Sequence, residues 1–354
     1  MTIHWRPIAI ALSLLLSFSS FPLVADELNY YAGEPTPAAP LLDAPTATPS
    51  EALACCAPDG CCDCGALPWV LSAEALWLQR ANGQPQITSQ GLVGGPIERA
   101  YVGGQFQPGV RLSLQRFDEQ GDSCELSYFG LQQWRNDRTV LGDPIGFTSR
   151  VFSPSLGVDD IIGGFDTSVN LSYRAQTHNA ELNRWFVTRD DGPWTVKAMF
   201  GARYFNFEER IAMTGIDSQF GSETLSGGAF NYLMGGQVGL RAERTWDRLS
   251  IFGLGKAGLY GNRYSVSQRS EMLPNVGVPI PPFNFQNEGG RVAGILESQV
   301  GARFELTDWL AIRGGYNVFY VPGVVLQPSP SGANPGESRD LVLHGASAGV
   351  DLVW

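Results

Sequence analysis

The chain has 354 residues, of which 42 are glycine and 17% are charged. No uninterrupted apolar run of about 20 residues follows the N-terminus, which argues against a transmembrane helix in the rest of the chain. Acidic residues outnumber basic ones by 35 to 24, and an acidic surface repels phosphate backbones, so nucleic acid is not an expected partner. Low charge and abundant glycine without long apolar runs are typical of a sheet that faces lipid on one side and water on the other.

Residues 1–25 have the features of a secretory signal peptide. Arg6 supplies the positive charge, an apolar stretch runs from Ile8 to Leu16, and Ala25 is a small residue before a cut ahead of Asp26. The apolar stretch is too short to cross a bilayer. A buried N-terminal helix is the alternative interpretation. The signal predicts export to the cell envelope.

Residues 26–68 are interpreted as a Pro/Ala-rich tether, mostly disordered, because closely spaced prolines from Pro35 to Pro49 leave little that could build a core. The tether contains five of the six cysteines: Cys55, Cys56, Cys61, Cys62 and Cys64. In an oxidising envelope, disulfides within this cluster or between molecules are expected. Zinc bound by thiolates is the alternative, but no histidine lies near and the paired CxxC spacing is absent. We therefore expect neither a metal nor another cofactor.

From Trp69 to Trp354, short segments of alternating apolar and polar residues follow one another. In the first segment, Trp69 and Trp77 fall on one face and Ser72 and Glu74 on the other, as the two-residue period of a strand requires. Those two tryptophans are separated by roughly 19 Å along a membrane normal at ~3.3 Å rise and ~45° tilt, close to the apolar band of an outer-membrane barrel. The repeats predict about ten strands, between roughly 8 and 12.

The connections between these segments alternate in length. Short ones are predicted at Asp118–Asp122, Thr188–Pro193, Glu243–Arg248 and Thr307–Asp308, and long ones near 80–103, 135–166, 215–229, 265–290 and 321–339. This alternation favours an all-β, antiparallel, up-and-down transmembrane barrel over residues 69–354, with external long loops and both termini in the periplasm. The alternative is a soluble β-sandwich, whose loops would not sort by length. An outward aromatic such as Trp354 is typical of the closing strand of an exported barrel.

Four stretches carry a family resemblance: Trp69 to Trp77, Ala180 to Asn183, Gly201 to Glu209, and Gly349 to Trp354. On these motifs, residues 69–354 resemble the seventh group of the β-barrel porin (BBP) family. The resemblance implies an outer-membrane barrel, and it supplies no functional residues to carry over. The tether and its cysteines lie outside the match.

Two sets of candidate site residues follow from the alternation. The outward set forms an aromatic girdle of Trp69, Trp77, Tyr128, Tyr204, Tyr316 and Trp354. The inward set lines the lumen and comprises Arg111, Glu125, Glu181, Lys197, Arg203, Arg241, Lys256, Glu297, Arg303 and Arg313. Charges inside a barrel must be paired or hydrated. The same residues therefore fit either a closed, ion-paired interior or a narrow hydrated pore.

Enzymatic activity is not expected, because a general base, a nucleophile and an orienting group do not occur together in a recognisable pattern. His178 and His344 face outward in the predicted register, and no G-x-S-x-G motif is present. We predict a bacterial outer-membrane protein that passes small solutes passively, as porins do. The alternative is a non-conducting barrel that binds through its loops or its tether. Expected partners are outer-membrane lipid, the barrel-assembly machinery during insertion and an envelope component at the tether.

Overall fold

The computed structural model describes residues 68–81, 86–91, 98–101, 105–141, 147–152, 168–218, 221–273, 283–326 and 338–354. These residues form the strands β1 (Trp69–Arg80), β2 (Gln86–Gly91), β3 (Glu98–Tyr101), β4 (Gln107–Phe117), β5 (Ser123–Leu141), β6 (Phe147–Phe152), β7 (Ser168–Asp191), β8 (Trp194–Asp217), β9 (Gly221–Trp246), β10 (Leu249–Leu273), β11 (Phe283–Thr307), β12 (Leu310–Val325) and β13 (Ser338–Val353). Across these described ranges, no helix is long and apolar enough to span a membrane.

Ten strands close into one antiparallel ring in the order β1-β13-β12-β11-β10-β9-β8-β7-β5-β4. Most neighbours in the ring are consecutive in sequence, which is the up-and-down arrangement, and the interruption between β5 and β7 is β6. Strands β2, β3 and β6 form a separate three-stranded sheet in the order β3-β2-β6. The predicted all-β up-and-down barrel of about ten strands is confirmed.

The ring closes where β1 pairs with β13. The backbone N–H of Trp69 donates to the carbonyl of Trp354 at 2.8 Å, and the N–H of Trp354 donates back to the carbonyl of Trp69 at 3.1 Å. Farther along this pair of strands, a Cβ at Gly345 would collide with the carbonyl oxygen of Trp77, so the close approach of the two strands requires glycine there. No sheet edge is left open in the ring.

One end of the ring, which we call the short-turn end, carries tight connections at 118–122, 192–193, 247–248 and 308–309. Gly192 and Asp247 adopt positive φ values of 61° and 51°, which suit two-residue hairpin turns. Trp69 and Trp354 lie at this same end, because their sequence neighbours are bonded beside the short turns: the carbonyl of Pro68 accepts from the N–H of Phe117, and the N–H of Val353 donates to the carbonyl of Trp309. The predicted short connections therefore lie at the same end of the barrel as its first and last residues, Trp69 and Trp354.

The opposite end, which we call the far end, differs from the prediction at four of the predicted long connections. The prediction of a long connection at 215–229 is wrong: β8 continues to Asp217 and β9 begins at Gly221. The Ser-, Thr- and Gly-rich sequence there alternates weakly, but backbone pairing such as Met213 with Leu225 still makes it strand. Strand also extends into the predicted connection 265–290, as far as Leu273 and again from Phe283. The predicted connections 80–103 and 135–166 contain β2, β3, β6 and the end of β5.

The signal peptide, the tether and its cysteines Cys55, Cys56, Cys61, Cys62 and Cys64 lie outside the described residues. Those predictions stay as predictions. Cys124 is described, and it is a free, exposed thiol on the outward face of β5.

Candidate functional site: a two-part lumen

All ten residues predicted to line the lumen point into the barrel: Arg111, Glu125, Glu181, Lys197, Arg203, Arg241, Lys256, Glu297, Arg303 and Arg313. They come from strands around most of the ring, so strand pairing brings residues far apart in sequence to one interior surface. They occupy the half of the lumen nearer the short-turn end. Their side chains are joined to one another across the lumen rather than separated by an open channel.

Glu181 on β7 is the centre of this network. Its two carboxylate oxygens accept hydrogen bonds from the Arg203 guanidinium, from Lys256 Nζ at 2.8 Å and from Gln237 Nε2 at 2.8 Å. The amides of Asn179 and Asn183 donate at 2.8 and 3.1 Å. The Glu181 side chain is only 3% exposed. A buried carboxylate is tolerated when cations and donors satisfy its oxygens, and these five donors do so.

From this centre, ion pairs run toward the short-turn end. Arg203 also bonds Glu297, and Arg111 lies 3.5 Å from Glu297 and 3.4 Å from Glu74. The pairs continue from Glu74 through Arg313 to Asp351, then Arg303 and Glu305. The arginines of this series become more exposed in that order, from 1% at Arg203 to 21% at Arg303, and Glu305 at its end is 45% exposed. The series therefore leads from a dry centre to a wet mouth.

A cavity of about 450 Å³ lies beside these ion pairs, and we call it the chamber. It reaches the short-turn end, where Pro68, Asp308 and Val353 line it, and its inner wall includes Glu181, Lys256 and Glu297. Glu125 also lines it and accepts a hydrogen bond from Trp185 Nε1. Lys197 projects into it over the ring of Phe117, 4.9 Å from the ring centroid, and Arg241 bonds Glu243 at 2.8 Å. The chamber is thus a polar recess with charges of both signs.

The half of the lumen nearer the far end is filled by apolar side chains, which we call the plug. The plug draws on β1, β5 and β7 to β13, and its members include Leu76, Leu78, Phe129, Trp134, Leu171, Tyr173, Phe205, Phe207, Leu233, Ile295, Phe319, Val321, Leu341 and Leu343. The rings of Phe129 on β5 and Phe319 on β12 have centroids 5.4 Å apart, although these strands are four positions apart around the ring. Both side chains are at most 1% exposed. Contact across the barrel leaves no water-filled path between them.

Two polar contacts cross the lumen within the plug, and neither is predicted from the sequence. Arg80 on β1 donates to Glu209 Oε1 on β8 at 2.5 Å and to the Tyr173 hydroxyl on β7 at 2.8 Å. Asn231 on β9 and the backbone of Val325 on β12 bond each other at 2.6 and 2.7 Å. Arg80 and Glu209 could have been found by extending the alternation that places Glu74 and Arg203 inside, because each lies an even number of residues farther along its strand.

The predicted girdle residues Trp77, Tyr128, Tyr204, Tyr316 and Trp354 are on the outward face, each between 40 and 51% exposed, and Trp69 is partly buried. Three outward tryptophans at the short turns were missed: Trp194, Trp246 and Trp309. With Trp69 and Trp354 they form a lower aromatic row, while Trp77, Tyr128, Tyr204 and Tyr316 stand higher on the wall. Trp194 and Tyr204 are separated by about 23 Å along the barrel axis at ~3.3 Å rise and ~45° tilt.

Between the two aromatic rows the outward face is apolar. Leu182, Phe200, Val238, Leu259 and Val300 are all more than half exposed there. His178 and His344 also face outward, and each ring bonds a tyrosine hydroxyl, Tyr128 at 2.8 Å and Tyr316 at 2.6 Å. Within the described ranges, no three His, Cys, Asp or Glu side chains are arranged to hold a metal ion. The absence of enzymatic activity stays a prediction.

No family model matches the chain, so membership of the BBP family also stays a prediction. No curated protein matches it. Among solved structures, the chain is similar to the outer membrane protease OmpT of Escherichia coli, with 9% identity, a TM-score of 0.45, and coverage of 82% of this chain and 98% of that one. It is also similar to the toluene transporter TodX of Pseudomonas putida, with 10% identity, a TM-score of 0.23, and coverage of 84 and 90%. A FadL homologue of Pseudomonas aeruginosa has 10% identity, a TM-score of 0.21, and coverage of 82 and 90%. Because these similarities are so distant, they do not indicate a function, and we infer the function from the geometry of the lumen and the wall.

Proposed function

We propose that this chain is a bacterial outer-membrane β-barrel whose lumen is closed to passive flow, and that it acts as a structural or binding protein rather than as a pore. Membrane insertion is supported by the outward face. An apolar surface bounded by aromatic rows roughly 19 to 23 Å apart is close to the apolar band of about 25 Å on outer-membrane barrels. A closed ring also satisfies the backbone hydrogen bonds that lipid cannot satisfy.

The plug is the observation that carries the closed lumen. A conducting barrel needs a continuous hydrated path along its axis, whereas here Phe129 meets Phe319 across the interior and Leu76, Leu78 and Leu343 are fully buried beside them. A ten-stranded ring is narrow enough for side chains to fill most of its interior. Passive, porin-like passage is the competing function, and it would require the plug to move aside.

The short-turn end fits the periplasmic side, because outer-membrane barrels have short periplasmic turns. In that orientation the chamber opens to the periplasm, and β1 begins at the same side with Trp69. We propose that an envelope component binds on this side, through the tether or at the chamber mouth. The longer strands β7 to β11 then project to the cell exterior.

Conductance in a planar lipid bilayer tests the closed lumen. We expect refolded residues 26–354 to insert without discrete conductance steps. The triple variant Phe129→Ala/Phe205→Ala/Phe319→Ala removes the centre of the plug, and we expect it to conduct. Phe200→Ala is the matched control, since this phenylalanine is 58% exposed on the outward face, and it should stay silent. Stable steps from the unmodified protein would overturn the closed lumen and restore the porin-like function.

A further inference from the structure

Three arginines lie side by side on the outward face near the far end. Arg135 on β5 is paired in register with Arg174 on β7, and Arg174 is paired with Arg210 on β8. Their sequence neighbours Trp134, Tyr173 and Glu209 are buried inside the barrel, so the three arginine side chains point away from it. We call them the arginine row. Neighbouring strands are about 4.8 Å apart, so three positive charges stand within about 10 Å.

Like charges opposite each other on paired strands destabilise a sheet unless an anion lies between them. Asp137 bonds Arg135 at 3.0 Å, and Glu208, next to the row, accepts a hydrogen bond from Gln176 at 2.7 Å. In the described part of the chain, neither Arg174 nor Arg210 forms a direct ion pair, although the Asp137 carboxylate attracts Arg174 as well as Arg135. Arg210 instead lies over the Phe230 ring, 5.3 Å from its centroid, which holds its guanidinium against the wall. The row therefore keeps an excess of positive charge, even with both carboxylates counted.

The height of the row on the wall indicates what it faces. His178, bonded to Tyr128 of the upper aromatic residues, is four residues below Arg174 on the same strand. Four residues correspond to about 9 Å along the axis at ~3.3 Å rise and ~45° tilt. Headgroup regions add roughly 5 to 8 Å on each side of the hydrocarbon core, and an arginine side chain can reach down into that layer. The apolar face that begins below His178 includes Leu182, which is 61% exposed.

We propose that the arginine row binds the phosphate groups of a phosphorylated glycolipid in the outer leaflet, with Arg174 and Arg210 as the principal ligands. Guanidinium groups recognise phosphate oxygens in a bidentate manner, and adjacent arginines match a headgroup with more than one phosphate. A lipid fits better than soluble phosphate, because its acyl chains contact the apolar wall directly below the row while its headgroup reaches the guanidinium groups. This inference rests on the proposed insertion in the outer membrane.

The test compares lipid retention by two double variants. The full mature chain is folded in phosphatidylcholine vesicles containing a small fraction of lipid A, extracted in mild detergent and examined by native mass spectrometry. We expect Arg174→Gln/Arg210→Gln to lower the affinity for lipid A roughly 30-fold, since each arginine near a headgroup contributes on the order of fivefold. The matched control is Arg263→Gln/Arg269→Gln, two exposed outward arginines on β10 with no arginine opposite them in the register.

Three outcomes would overturn the proposal. An equal loss in the control would mean that overall positive charge, rather than the row, retains the lipid. Displacement of lipid A by millimolar inorganic phosphate, or phosphate binding of similar strength without lipid, would assign the row to soluble phosphate instead. Unchanged retention by Arg174→Gln/Arg210→Gln would remove the row from lipid binding altogether. Insertion is scored separately, by the heat-dependent gel mobility of the barrel in pure phosphatidylcholine, so a failure of the membrane assignment is visible apart from a failure of the lipid site.

Discussion

The two halves of the lumen share one barrel wall but are built in opposite ways. On β1 the change occurs between Glu74, in the ion-pair network, and Leu76, in the plug; on β8 it occurs between Arg203 and Phe205. One step of the inward alternation thus separates a charged, ion-paired recess from an apolar core. The number of strands therefore sets the width of the interior, whereas the inward side chains determine whether that interior can hold water.

The largest loss of stability is expected for a substitution of Glu181, where the two halves of the lumen meet. Glu181→Ala breaks two buried ion pairs and leaves Arg203 and Lys256 with Glu297 as their remaining shared carboxylate, which costs about 3–5 kcal/mol of unfolding free energy. Urea unfolding of the barrel in lipid vesicles, followed by tryptophan fluorescence, measures the loss.

Glu305→Gln is the control, because its pair with Arg303 stands at the exposed mouth and contributes at most about 1 kcal/mol. Equal losses in the two variants would show that the centre of the network is as wet as its mouth, and the contrast between the halves would disappear.

A somewhat smaller effect is expected in the plug. Phe319→Ala removes a fully buried ring that contacts Phe129 across the lumen, and it should cost about 3 kcal/mol through lost burial and a residual cavity. The same unfolding assay applies.

Ile312→Ala on the same strand is the control, since Ile312 is 45% exposed on the outward face, where lipid chains can fill the space. A loss at Phe319 no greater than that at Ile312 would mean that the plug is loosely packed and that its closure of the lumen is weak.

The smallest effect concerns the turn 118–122 near the chamber mouth. Burial raises the pKa of the Asp118 carboxyl, but hydrogen bonds donated by Arg184 and by the backbone of Gln120 outweigh it and hold that pKa below its usual value. A carboxyl with a lowered folded pKa stabilises the fold above its unfolded pKa of about 3.9, and this contribution disappears as pH falls through the folded pKa.

Asp118→Asn should therefore lower the urea midpoint at about pH 7, and the difference from the unmodified protein should shrink at about pH 2. Glu119→Gln in the same turn serves as the control. A difference for Asp118→Asn that is independent of pH would show that the turn depends on the shape of the side chain rather than on its charge.

The sequence predicts the wall well because alternation has a direct physical cause. In the proposed membrane setting, lipid outside and water or ions inside select opposite residues at successive positions, and the structure places the ten predicted lumen residues, from Arg111 to Arg313, on the inner face. Near the far end this polarity inverts: Tyr173 faces inward and Arg174 outward. In the proposed orientation, the wall at the far end has left the bilayer and would meet water outside, so the alternation that identifies a membrane strand no longer applies there. The extended ends of β8 to β11 were not predicted for this reason.

The plug was also beyond prediction, for a different reason. Phe129 and Phe319, or Arg80 and Glu209, belong to strands that are never hydrogen-bonded to each other. Their contacts depend on barrel diameter and on the stagger between strands, and neither quantity is encoded in a local pattern. The sequence could therefore supply the inward charges but not choose between a closed interior and a pore.

The pairing of Trp69 with Trp354 also determines the order in which the barrel can assemble. The two strands that complete the ring come from opposite ends of the barrel sequence, so the ring cannot close before the last strand is available. Until that moment the growing sheet has two unpaired edges, each able to capture a foreign strand. A chaperone that shields both edges until the last strand is available would protect this intermediate from capture. Once the ring has closed, it has no edge from which to unravel.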